Sequence, residues 1–208
     1  MRVSALSVLG MAAAVAASGC GGTKHAPSTT GAGTNTSPTA THAGTTTAGM
    51  GGLRAEAASA ATGDIPDNQV FVVFANPAER YAMKYPEGWA QSGGGDRVVI
   101  RDKNNIVRIV VRKGTASGTS ALQELRLLPG VTVVQAPRNQ TLPVGQAVKA
   151  VYSTKSAPNP VTGKRVTLQV DRYYLRHGDR LAIVDLGTPV GVDNVDAYRL
   201  MIQSFRWR

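Results

Sequence analysis

Residues 165–186 read RVTLQVDRYYLRHGDRLAIVDL, and the fold class is decided here. From Arg165 to Leu175 the side chains alternate, with Val166, Leu168, Val170, Arg172 and Tyr174 on one face and Thr167, Gln169, Asp171 and Tyr173 on the other. Leu181 to Leu186 is a second apolar run, and His177-Gly178-Asp179 between the two has turn composition. The spacing predicts a long antiparallel hairpin.

Working outward, Gln146 to Tyr152 and Val131 to Val134 are strand-like, and a helix is predicted before them. Ser120 to Gln123 fits a capping box, Leu122, Leu125 and either Leu127 or Leu128 form an apolar stripe, and Pro129-Gly130 ends it. Val98 to Arg101 and Ile106 to Val111 flank the turn-forming Asp102-Lys103-Asn104-Asn105, a second hairpin. Tyr81, Met83 and Tyr85 alternate before Pro86-Glu87-Gly88-Trp89, and Val70 to Phe74 reads as a strand or a buried lead-in. At the C-terminal end Val195, Tyr198, Met201 or Ile202, and Phe205 recur at helical spacing after a cap at Asp193 or Asn194. The predicted order β-β-β-α-β-β-β-β-α with hairpin connections describes an α+β fold, a mainly antiparallel sheet flanked by helices. No internal repeat is visible.

Upstream of residue 64 the composition changes abruptly. Between Gly21 and Gly49, 20 of 29 residues are Gly, Ser, Thr or Pro, without apolar periodicity. Such a segment buries too little apolar surface to offset its ordering entropy, so 20–63 is expected to be a disordered tether with an r.m.s. span of about 35–40 Å. Leu53 to Ala61 (LRAEAASAA) is compatible with a short helix.

The first residues carry Arg2 and then an uncharged run from Val3 to Ala17. That run is shorter than the roughly 20 apolar residues of a spanning helix and ends at small residues, as a signal peptide does. It leads into Ala17-Ser18-Gly19-Cys20, which resembles the bacterial lipobox, although Ala17 stands where Leu is commonest. The resemblance implies that residues 1–19 are removed and that Cys20, the chain's one cysteine, becomes an acylated N-terminus. The alternative is cleavage after Ala14-Val15-Ala16, leaving Cys20 a free thiol. Acylation would put the protein on the cell membrane at its extracytoplasmic face.

Lys and Arg number 23 against 13 Asp and Glu. Setting aside Arg2, Lys24, Arg54 and Glu56 leaves 20 basic and 12 acidic residues from Gly63 onward, a net +8 on the domain. A basic domain suits nucleic acid, an anionic membrane surface or an acidic polymer, and export removes nucleic acid from that set. Lys164, Arg165, Arg172, Arg176 and Arg180 gather on the predicted long hairpin. They form either a partner-binding site for an acidic envelope component or a solvated edge that guards the sheet from aggregation.

Candidate catalytic groups are sparse. A nucleophile needs a base beside it, and the domain's one histidine, His177, falls in a turn. His25 and His42 lie in the tether, while Asp102 and Asp179 read as turn residues, so no metal site and no cofactor are expected. Gly93-Gly94-Gly95 lacks the following G-K-[ST] of a phosphate loop and reads as a flexible connection. Glu87 and Glu124 would make a carboxylate pair only if the fold joined them. Trp89 and Trp207 are expected as core plugs rather than stacking platforms.

Three stretches together resemble the PsbP-like superfamily: Tyr81-x-Met83-Lys84-Tyr85-Pro86-x-Gly88-Trp89, Arg172-Tyr173-Tyr174 through Gly178-Asp179-Arg180-Leu181, and Ser204-Phe205-Arg206-Trp207. This superfamily includes DcrB-type and LpqN-type bacterial lipoproteins. The resemblance covers about residues 66–208 and implies a three-layer α/β/α sandwich used for binding or scaffolding. The expected function is a non-catalytic binding module for an envelope protein or another envelope component, held at the membrane through Cys20. The alternative is a small-ligand-binding lipoprotein serving a transport system.

Overall fold

The computed structural model describes residues 63–159 and 161–208. The expected signal peptide, Cys20, the expected tether before residue 63 and the Leu53 to Ala61 helix expectation lie outside them. Strand β1 (Phe71–Asn76) pairs with β2 (Tyr81–Pro86), and β2 also pairs with the short β10 (Arg206–Trp207), making a three-stranded antiparallel sheet. A seven-stranded antiparallel sheet runs in the order β3 (Ala90–Gly94), β4 (Arg97–Asp102), β5 (Asn105–Lys113), β9 (Arg180–Pro189), β8 (Thr167–His177), β7 (Gly145–Lys155), β6 (Thr132–Leu142). The long hairpin is β8–β9, with Leu168 opposite Pro189 and His177 opposite Arg180.

Alternation along these strands sorts the core. Val98, Ile100, Val107, Ile109, Val111, Ala182, Val184 and Leu186 face one way, into a large cluster shared with Tyr81, Met83, Trp89, Phe205 and helix α2 (Val195–Gln203). The opposite face carries Leu168, Val170, Tyr174, Leu181 and Ile183, and helix α1 (Gly118–Leu127) sets Ala121 and Leu125 onto it. Two helices on opposite faces of a central antiparallel sheet make the α+β three-layer sandwich. Trp89 is 9 % exposed within the large cluster, against the sheet.

Several boundaries differ from the sequence expectation. Helix α1 begins one turn earlier: Ser117 is the cap, its Oγ accepting from the Ser120 N–H while Ser120 Oγ accepts from the Ser117 N–H. Ser120 thus plays the part that Glu or Gln fills in the usual box. Of the predicted stripe, Leu125 is buried and Leu127 is 84 % exposed. β6 continues far beyond Val134 and carries Pro137, which an edge strand tolerates because its missing N–H costs no ladder bond, and its register shifts twice. Gly93 and Gly94 belong to β3 rather than to a loose connection. At Gly93, with φ +82°, an added Cβ would sit 2.5 Å from the Arg97 carbonyl oxygen. Asn194 occupies the α2 cap position, yet its buried side chain accepts from the Ile65 N–H and donates to Gly63 O and Thr188 Oγ1, pinning the start of the domain. No helix among the described residues is long and apolar enough to cross a membrane.

Candidate anion-binding face

On the α1 side of the sheet, β4 presents Arg97, Val99 and Arg101, and β5 presents Ile106, Arg108, Val110 and Arg112. Arg97 lies opposite Val110, Val99 opposite Arg108, and Arg101 opposite Ile106. Helix α1 packs over β6 and β7, at the far end of the sheet. The helix reaches β5 through Glu124, but over β4 no element packs on this side among the described residues, so Val99 is half-buried and Arg97 and Arg101 stand exposed.

The four arginines divide into two kinds. Arg108 and Arg112 are paired inward. Arg112 donates to Glu124 Oε2 at 2.6 Å, and Arg108 Nε donates to Asp185 Oδ2 at 2.9 Å. The side chains of Arg97 and Arg101 have no hydrogen-bond or ion-pair partner among the described residues. An exposed guanidinium paired with no carboxylate keeps its charge available to an approaching anion.

Behind this face lies a buried ion cluster. Arg172 sits opposite Asp185 in the β8–β9 ladder, donating from Nε to Oδ1 at 2.6 Å and from Nη2 to Oδ2 at 2.8 Å, and from Nη1 to Glu124 Oε1 at 3.2 Å. Burial alone would raise the Asp185 pKa. The hydrogen bonds and charge of Arg172, and then those of Arg108, outweigh it and hold the carboxyl below its usual range. Burial pushes the Tyr152 hydroxyl up to about 12, assisted by the nearby Asp185 charge, so it stays protonated. A carboxylate gripped by two guanidiniums is a structural clamp joining β5, β8, β9 and, through Glu124, α1.

The five basic residues singled out on the hairpin do not form one patch. Lys164 and Arg165 are exposed before β8, with Arg165 Nη1 donating to the Ser156 carbonyl at 2.9 Å. Arg176 and Arg180 lie at the other end of that strand, on the order of 35 Å away at β-strand rise. Arg176 is exposed and donates to the Gly178 carbonyl, whereas Arg180 pairs with Glu79 at 2.6 Å and lies 5.0 Å over the Trp207 ring. Arg172 is 4 % exposed, so its expected place in a partner-binding site is corrected: its guanidinium is consumed inside the domain. The arginines of the open face were missed, though their spacing was readable. Arg97 and Arg101, like Arg108 and Arg112, are four apart, which puts each pair on one strand face.

The remaining candidates separate. Exposed His177 stacks on Trp207 with centroids 5.8 Å apart. Glu124 is bound to arginines on the α1 side, while Glu87 follows β2 on the opposite side. Among the described residues no group of three or more His, Cys, Asp or Glu side chains is placed to hold a metal ion. Between α2 and β6–β8 a cleft of about 220 Å³ is lined by Lys149, Asp171, Tyr173 and Gln203. Within it Lys149 and Asp171 pair at 2.6 Å.

No protein-family model matches the chain, and no curated protein matches its sequence. Solved structures do match. Cyanobacterial PsbP (CyanoP) from Synechocystis sp. PCC 6803 is 11 % identical with a TM-score of 0.50, over 70 % of this chain and 98 % of that one. A protein from Bacteroides thetaiotaomicron is 18 % identical with a TM-score of 0.41, over 65 % of this chain, which spans about half (48 %) of that one. LpqN of Mycobacterium tuberculosis, described as involved in cell envelope biogenesis, is 16 % identical with a TM-score of 0.37, over 67 % and 85 %. At such identities the likeness is one of architecture, and with CyanoP aligned over nearly its whole length, the sandwich of this chain is PsbP-like.

Proposed function

We infer that this protein is an exported lipoprotein, anchored through acyl chains on Cys20, whose PsbP-like domain binds an acidic envelope component without catalysing a reaction on it. One observation carries the binding assignment: Arg97 and Arg101 stand exposed and unpartnered on an uncovered sheet face, beside two further arginines. Arg97 and Arg101, spaced by strand register on a rigid sheet, are preformed, so little ordering entropy is lost when an anionic surface meets them. Lys164, Arg165 and Arg176 add diffuse attraction. A reading as an enzyme lacks a nucleophile–base pair in the described domain. The α2 cleft gives the transport-receptor reading little support, since Lys149 and Asp171 there pair with each other.

The test uses immobilised poly-glutamate as the acidic probe and the full chain carrying Cys20→Ser, which needs no detergent. Arg97→Glu with Arg101→Glu should weaken capture at least tenfold at low salt and flatten its salt dependence, with the thermal melt unchanged because both side chains are exposed. Equal capture of wild type and variant at low and high salt would overturn the assignment.

A further inference from the structure

The arginine face runs into an opening of about 320 Å³ at the edge of α1. One side is aliphatic, built from Ile106, Leu128, Val131, Leu168 and Val170; the other is polar, with Arg108, Tyr152, Lys155 and the Asp185 carboxylate, whose charge Arg108 and Arg172 already offset. These residues belong to the small core under α1, which the ten-residue helix covers only in part, leaving Ile106, Leu128 and Val131 half-buried. Gly187 lies beneath: a Cβ there would come within 2.8 Å of Ile106 Cγ2 and 3.2 Å of Val170 Cγ2. The missing side chain lets Ile106 lie down on the sheet. Past Ile106, Ser156 and Ala157 the opening continues into a second, of about 500 Å³, bordered by Arg101 and Lys103.

Register places charge and grease together. Arg101 is directly opposite Ile106, and Arg108 is the next residue along the same strand face. An anionic group resting between these guanidiniums would have any attached chain lying over Ile106 and pointing toward Leu168 and Leu128. Water gains nothing along such walls, a bare anion leaves them unused, and a neutral chain leaves Arg101 unused. The complementary molecule carries both.

We propose that this groove binds an anionic amphiphile, a single alkyl or acyl chain ending in a carboxylate or phosphate monoester, head at Arg101 and Arg108 and chain along Ile106, Leu168 and Leu128. The proposal rests on the anion-binding face and names the chemical class of its ligand. The probes are dodecyl phosphate and dodecanoate, each below its micelle concentration, with inorganic phosphate as the head-only arm and dodecyl maltoside as the chain with a neutral head. Calorimetric titration of the full chain carrying Cys20→Ser should show dodecyl phosphate, dodecanoate or both binding at least tenfold more tightly than either control, and the tighter of the two identifies the head group. Ala157→Trp, which fills the mouth from an exposed position, should remove that advantage while leaving poly-glutamate capture intact. Arg101→Glu should weaken the amphiphile at least tenfold. If neither amphiphile binds more tightly than the head-only control, or if Ala157→Trp binds them as wild type does, the groove assignment is overturned. Should poly-glutamate capture fail while an amphiphile still binds, the broader acidic-polymer reading falls and the groove stands.

Discussion

Arg172 and Arg176 lie four residues apart on one strand and project from the same face, yet one is core and the other surface. Alternation cannot separate them, because the deciding partner comes from the neighbouring strand. Arg172 meets Asp185 across the ladder, and Arg176 meets Leu181. Arg97 and Arg101 share a face by strand parity, whereas the five basic residues of the hairpin are neighbours only in sequence. Removing one partner of a buried ion pair strands the other charge, so Arg172→Ala should cost about 3–5 kcal/mol at pH 7. The cluster also sets an acid limit. Because the folded Asp185 pKa is depressed, its contribution is complete above the unfolded value of about 3.9 and disappears as pH falls through the lower folded value. Urea melts of wild type and Arg172→Ala from pH 7 down to pH 3 check both statements. A variant within about 1 kcal/mol of wild type at pH 7 would mean that the clamp contributes little.

At the scale of elements, those with strong periodicity were legible. The β4–β5 and β8–β9 hairpins, β2 and α2 emerge from alternation and helical spacing, because burial of one face imposes those periods directly. Elements made by their neighbours were not. β3 is AQSGG, exposed throughout, and exists because β4 offers it an unpaired edge. β10 is two residues long and depends on β2. Most of β6 beyond Val134 is polar and takes its extended form from β7. The α1 cap expected at Ser120 lies at Ser117, because the choice among nearby hydroxyls is settled by which one meets free N–H groups. Ser117 is therefore the residue whose loss should loosen α1. Ser117→Ala should cost about 1 kcal/mol, whereas Gln123→Ala, at an exposed position inside the helix, should be nearly neutral. Equal urea midpoints for the two variants would show that the capping box is energetically idle.

For the molecule as a whole, the proposed parts depend on one another. The binding face is small, and its electrostatic attraction decays within roughly 10 Å at ordinary ionic strength. Such a site gains occupancy when its partner is held nearby, and a tether of tens of ångströms fixed to the membrane would raise the effective concentration of any ligand in the same layer. The anchor must then outlast the encounter. Each buried CH₂ contributes about 0.8 kcal/mol, and two acyl chains hold where one is marginal, so acylation of Cys20 would provide a lasting attachment. No described helix is available as a substitute span. Cys20→Ser should move the protein from the membrane fraction to the soluble extracytoplasmic fraction, with the melt of the domain unchanged because Cys20 precedes it by more than 40 residues. Intact-mass measurement of membrane-extracted wild type should give a chain beginning at Cys20 and carrying acyl mass. A wild-type chain recovered soluble with an unmodified thiol would remove the anchor, and with it the local-concentration argument. The face and groove would then have to bind freely diffusing ligands on affinity alone.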